Sequence, residues 1–210
     1  TGDWPVLLVD EPEAFLHPPQ ARRMGRLLAR HRTSGQLFIA THSLDILLGL
    51  VSESDGDLSI LRVQRPQAHT QVEVLDRRDV KRLWSDPLLQ FSRALDGLFH
   101  DVTVVCESDS DALFYEQVAE WLAREGRDVA AAQLDVHYTF ASGKQRMATI
   151  AEALVGVGVP TVVCADFDVL RERDVWGRLV TSLGHEISPE MLADWTVMSS
   201  SLNGAATRTV

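Results

Sequence analysis

Val102-Thr103-Val104-Val105-Cys106-Glu107-Ser108-Asp109-Ser110-Asp111 is an apolar run that ends in a carboxylate, with further carboxylates inside the next helical turn. A short, β-rich run bounded by polar residues reads as a buried strand. Ser108 and Asp109 read as the cap of a helix that carries Leu113, Phe114, Val118 and Trp121. Glu107 then stands at the carboxyl end of a strand, where α/β sheets place their chemistry. Pro160-Thr161-Val162-Val163-Cys164-Ala165 repeats the pattern and leads into Asp166-Phe167-Asp168. Two apolar strands that each end in carboxylates predict one metal site between neighbouring strands.

The composition bounds what such a site can belong to. The chain has 210 residues, 45% of them apolar, enough to bury a core in one large or two small domains. Its 30 acidic and 20 basic residues leave a net charge of −10, which does not suggest a nucleic-acid surface, because phosphate contacts need Lys and Arg. Divalent cations bound at an acidic site would reverse that sign locally. Cys106 and Cys164 fall inside expected strands and read as small buried hydrophobes of a reducing compartment, with a disulfide or a metal role as the alternative. No signal peptide or long apolar span occurs, so the expectation is a cytoplasmic protein without a membrane partner. A strand begins almost at Thr1, which predicts that the chain is a piece of something longer.

Outward from the central stretch, residues 101–210 alternate strand and helix. The expected strands are Val102 to Cys106, Leu134 to Phe140 and Thr161 to Ala165; the expected helices are Asp109 to Arg124, Gly143 to Val155 and Arg171 to Leu183. That alternation predicts a parallel sheet with helices on its faces. Pro189 to Val197 reads as a short helix, and Ser199 to Gly204 as a polar loop or frayed end.

Upstream, Trp4 to Val9 reads as a buried strand ending in Asp10-Glu11, Pro19 to His31 as a helix, and Gln36 to Ala40 as a strand ending in Thr41-His42-Ser43. Ser43 is the expected cap of the helix holding Leu44, Ile46, Leu47 and Leu50. Leu58 to Val63 and Gln71 to Leu75 read as a hairpin edging that sheet. Asp76 to Trp84 and Pro87 to Leu98 read as connecting helices, with the domain boundary between Leu75 and Asp101.

Leu7-Leu8-Val9-Asp10-Glu11-Pro12 resembles a Walker B motif, and Ala40-Thr41-His42-Ser43 resembles the switch histidine of ABC-type ATPases related to SMC and RecF proteins. By that resemblance Asp10 supports Mg²⁺ through water, Glu11 polarises the attacking water, and His42 lies near the γ-phosphate of ATP. His17, in a segment resembling the one that follows Walker B in this branch, reads as structural. No G-x-x-x-x-G-K-S/T phosphate loop occurs in the chain. The resemblance places that loop upstream, so ATP belongs to the full-length protein and this piece alone should not hydrolyse it.

Glu107 and Asp166-Phe167-Asp168 resemble the hallmarks of the Toprim domain, a glutamate after the first strand and a D-x-D after the third. An ABC-type half followed by Toprim resembles the OLD (overcoming lysogenization defect) family of ATP-dependent endonucleases. Glu107 to Tyr115 is close to that family's E-x-x-x-D/E form, and Phe140-Ala141-Ser142-Gly143-Lys144 resembles its strand-to-helix turn. The implied fold class is α/β. Residues 1–75 would be the C-terminal part of an ABC-type ATPase domain, 76–100 a helical connector, and 101–210 a Rossmann-like Toprim domain that is incomplete at its C-terminus.

Mg²⁺ and Mn²⁺ take oxygen ligands. On an extended strand Asp166 and Asp168 would point the same way. Glu107 on the adjacent strand would share their cation, and Asp111 would complete a second site. Carboxylates 5 Å apart repel by about 3 kcal/mol per pair at an effective dielectric of 20, so the cluster needs cations or protons. Two metals would let it hydrolyse a phosphodiester. Asp109 reads as a cap rather than a ligand. Lys144 at a helix start could contact a phosphate or be solvated. Arg171 and Arg173 read as helix-surface charges, with nucleic-acid contact as the alternative.

The function implied by the resemblance is DNA hydrolysis by an ATPase-coupled, metal-dependent endonuclease in anti-phage defence or DNA repair, with RNA as another possible substrate. A homodimer or higher oligomer through the ATPase region, and a defence partner protein, are implied with it. The competing reading is a non-cleaving, ATP-gated clamp or sensor whose Toprim part binds metal, nucleic acid or a protein.

Overall fold

In the computed structural model, residues 5–30, 35–54, 58–64, 69–75, 78, 80, 93–127 and 134–206 are described. The chain divides into two units, Thr1–Asp86 and Pro87–Val210.

In the first unit β1 (Val6–Asp10) pairs in parallel with β2 (Gln36–Ala40), in register from Val6 opposite Gln36 to Asp10 opposite Ala40. A crossover helix is what a parallel pair requires, and α1 (Pro18–Arg30) supplies it. After β2, Ser43 caps α2 (Leu44–Glu53) by accepting a bond from the Ile46 amide. The helices pack through Gly25 and Gly49. A Cβ on Gly25 would run into the Ile46 carbonyl, and one on Gly49 into the Arg22 carbonyl. Ala21, Ile46, Leu47 and Leu50 fill the surrounding space.

The expected burial of the first strand is not met. Val6, Leu7 and Leu8 are exposed, Leu8 to 73%. The reason is pairing: among the described residues β1 has one neighbouring strand, so much of both faces stays open. The hairpin also departs from expectation. β3 (Ile60–Gln64) and β4 (Gln71–Leu75) form an antiparallel sheet of their own rather than an edge of the β1–β2 sheet. Their register sets Leu61 opposite Val74 and Val63 opposite Val72, and all four side chains face outward while Arg62 and Leu75 are buried. Most of the expected connecting helices, Asp76 to Trp84 and Pro87 to Leu98, lie outside the described residues; Ala94–Phe99 is a short 3-10 helix.

The second unit is built on β5 (Val102–Cys106), the central strand of a parallel sheet in the order β6 (Val136–Phe140), β5, β7 (Thr161–Cys164). Thr103, Val105 and Cys106 are fully buried. The helix α3 (Asp109–Arg124) packs on β6 and β5, and α4 (Lys144–Val155) on β7 and β5. Met147, Ile150, Ala151 and Leu154 of α4 form the centre of the core. Most of α3 stands clear of it, with Leu113, Phe114 and Trp121 exposed. A 3-10 turn (Phe167–Arg171) follows β7 and leads into α5 (Arg173–Ser182).

The loop expected at Ser199 to Gly204 is instead helix: α6 runs Pro189–Ala206. Two of its hydroxyls bond back to the preceding turn, Thr196 to the Leu192 carbonyl and Ser201 to the Val197 carbonyl. Trp176 of α5 stacks on Trp195 of α6, with ring centres 5.8 Å apart.

Candidate functional site

Each unit places acids at the carboxyl end of a parallel strand. In the first, the chain leaves β1 through a turn in which Glu11 has φ of 44°, a left-handed conformation rare for a side-chain-bearing residue. Its amide is fixed by a 2.9 Å bond to the Ala40 carbonyl. Asp10 and Glu11 both remain exposed to solvent. His42 Nδ1 lies 3.1 Å from Glu11 Oε1 and 3.5 Å from Glu13 Oε1.

Glu13 was missed in the sequence and is the anchor of this site. It is 8% exposed, and its Oε1 accepts bonds from the Thr41 hydroxyl at 2.6 Å and the His42 amide at 3.1 Å. Thr41 Oγ1 in turn accepts the Ser43 amide at 3.1 Å. Glu13 therefore ties the turn after β1 to the turn after β2 and sets where His42 stands. Its Oε2 is buried without a partner in the described structure. The signal available was only an acid two places beyond Glu11.

In the second unit Glu107 closes β5, and its carbonyl accepts the Gly143 amide at 3.1 Å. That bond brings the turn after β6 beside the strand end. Ser142 has φ of 56° and Gly143 of 123°, so a side chain at Gly143 would be strained. The turn delivers Lys144 at the first position of α4. Its Nζ donates to Asp168 Oδ2 at 2.8 Å and lies 2.7 Å from Glu172 Oε1. Lys144 is only 14% exposed, and these bonds, first to Asp168 and then to Glu172, hold its ammonium well above the usual lysine range.

One expected placement needs correction. The strand does not stay extended through Asp166-Phe167-Asp168. β7 ends at Cys164, Asp166 precedes the 3-10 turn and its carbonyl accepts the Val169 amide, and Asp168 lies in the first turn. Asp111 is committed to a capping box: Ser108 Oγ accepts the Asp111 amide, and Asp111 Oδ2 accepts the Ser108 amide at 3.0 Å and its hydroxyl at 2.7 Å. Asp109 bonds the adjacent Ser110 amide. Glu172, whose contact with Lys144 spans a long sequence separation, carried no separate signal beside Arg171 and Arg173.

Burial first, then the charges of Asp168 and Asp166, push the Glu107 carboxyl above the usual carboxylate range; Lys144 opposes this and Asp111 adds to it. Glu107 Oε2 is buried and, among the described residues, has no hydrogen-bond partner. An orphaned carboxylate oxygen among other acids fits a hard cation. Asp168 fits less directly, because the ammonium already stands on it. Among the described residues no group of three or more His, Cys, Asp or Glu side chains is arranged to hold a metal ion. Cys106 and Cys164 are both free; the Cys106 thiol is pushed up to about 12, by burial foremost, and has little thiolate at neutral pH.

The first unit carries an ATPase-type region, which implies nucleotide use. Residues 2–48 match the family model described as "AAA domain, putative AbiEii toxin, Type IV TA system". No curated protein matches the chain. Among the described residues no helix is long and apolar enough to cross a membrane.

Proposed function

We propose that the chain is part of an ATPase-coupled, divalent-metal-dependent endonuclease of the OLD type, with a Toprim-like second unit that hydrolyses DNA phosphodiester bonds. The observation that carries the reading is Glu107. It is a strand-end carboxylate with a buried, unpartnered oxygen and a raised proton affinity, coupled to Asp166 and Asp168, in a chain that also has an ATPase-type region.

Glu107, Asp166 and Asp168 would hold Mg²⁺ or Mn²⁺, and Asp111 has one carboxylate oxygen outside its capping box to offer a second. When bound, the metal supplies Lewis acidity at the phosphodiester. As a metal ligand Glu107 would be charged, and its part in catalysis would be to hold the cation and, with it, the reacting water. Lys144 offers a positive charge to a phosphate oxygen once it leaves Asp168.

In the first unit Asp10 would support the nucleotide's Mg²⁺ and Glu11 would orient water. His42, with Nδ1 toward Glu11, would present Nε2 to the γ-phosphate. Dimerisation through the ATPase region and action on phage or damaged DNA belong to the same reading.

The second reading, a non-cleaving clamp or sensor, is favoured by the Lys144 bridge, which neutralises Asp168 from within. Plasmid assays separate the two. The full-length protein with Mg²⁺ or Mn²⁺ and ATP should nick supercoiled DNA, and Asp166→Ala should not. No cleavage of plasmid or of a tRNA substrate under any metal and nucleotide condition would leave the clamp.

A further inference from the structure

Lys144 is not placed as a solvated lysine would be. Its side chain is 14% exposed, whereas its partners Asp168 and Glu172 are 52% and 47% exposed. The strained Ser142-Gly143 turn aims it, and a backbone bond locks that turn to Glu107. Glu172 precedes α5 in the capping position, yet its side chain makes no capping bond and goes to Lys144 instead. Two cations on one carboxylate oppose each other strongly at this range. An ammonium on Asp168 therefore competes with any metal there, and Glu172 is the neighbouring acid on which it can remain.

We infer that Lys144 is a resident counter-cation of the acid site, shared between Asp168 and Glu172, and that Glu172 is the positioning residue that retains it when a divalent cation takes Asp168. This rests on the reading of Glu107, Asp166 and Asp168 as a divalent-cation site. It follows that Lys144 weakens metal binding. Glu172 relieves that opposition, and acts on the metal chiefly through the lysine.

Calorimetric titration of Mn²⁺ into the chain tests this, with circular dichroism confirming the fold of each variant. Lys144→Met should lower Kd by about tenfold or more, since it removes an adjacent positive charge. Glu172→Gln should raise Kd by about threefold or more, because the lysine is left with Asp168 alone; the double variant should lie within about threefold of Lys144→Met. If Lys144→Met fails to fold, Lys144→Gln takes its place.

An unchanged or raised Kd in the lysine variant, while the parent chain binds Mn²⁺ and Asp166→Asn does not, overturns the inference and leaves the metal site standing. A Glu172→Gln variant with unchanged Kd, or a double variant as weak as Glu172→Gln, removes the role given to Glu172. Absence of Mn²⁺ binding in the folded parent and in every folded variant overturns the metal reading and this inference with it.

Discussion

The carboxyl ends of β1 and β5 look alike as sequence and differ as chemistry. Each is an apolar parallel strand running into acids. At β1 the acids are met by hydrogen-bond donors: Glu13 takes the Thr41 hydroxyl and the His42 amide, and Glu11 faces the His42 ring. After β5 and β7, Glu107 feels the charges of Asp168 and Asp166, and Lys144 pairs with Asp168 and Glu172. The scaffolds differ as well. β1 lies in a two-stranded sheet with Leu8 73% exposed, while Val105 of β5 is fully buried between two neighbours. Donors fix a geometry. An internal cation cancels charge and must be moved before another cation can bind.

The largest contrast lies in the scaffolds. Met147→Ala, in the fully buried centre under β5, should cost about 2–4 kcal/mol in urea unfolding, whereas Leu8→Ala on the open face of β1 should stay within about 0.5 kcal/mol. Equal costs would break the contrast. Next, Gly25→Ala should destabilise the first unit by about 1–3 kcal/mol, because its new methyl meets the Ile46 carbonyl. Limited proteolysis should show that loss in fragments from the first unit and leave the second unchanged.

The donor side of the comparison is sharpened by Glu13→Ala. The variant should speed hydrogen exchange at the His42 amide by about tenfold, equivalent to losing one hydrogen bond to a charged group. An unchanged rate would mean that Glu13 does not hold the switch turn.

The smallest effect concerns charge. The folded-state proton affinity of Glu107 is raised, so the stability associated with this group is fully present below the ordinary glutamate range and is lost as pH rises through the raised folded value. Metal-free Glu107→Gln should therefore melt about 2 °C or more above the parent at pH 8 and converge with it at pH 4.

The same comparison explains what could be read in advance. Strand β2 at Gln36–Ala40, strand β5 at Val102–Cys106 and helix α3 at Asp109–Arg124 carry their own signals in apolar runs, a Ser cap and turn residues, and they fall where the sequence puts them. Glu107, Asp166 and Asp168 were visible because each sits just past an apolar strand. Glu13 and Glu172 were not, because their roles exist only through Thr41 and Lys144, far away in sequence. The turn at Asp166-Phe167-Asp168 and the exposure of β1 were hidden for a related reason: local pattern does not say where a strand stops pairing or how many neighbours it has. Ser199–Gly204 reads as loop by composition, yet it lies within α6, because serines are only weak local breakers and a longer helix can carry them.

The account turns on whether the acids after β5 and β7 receive a divalent cation in place of the lysine. A crystal grown with Mn²⁺ and measured at the manganese edge answers this directly. The predicted result is an anomalous peak beside Glu107 and Asp166, with Lys144 off Asp168 and still on Glu172. Lys144 left bridging Asp168 and Glu172, with no peak among these acids at saturating Mn²⁺, would contradict it.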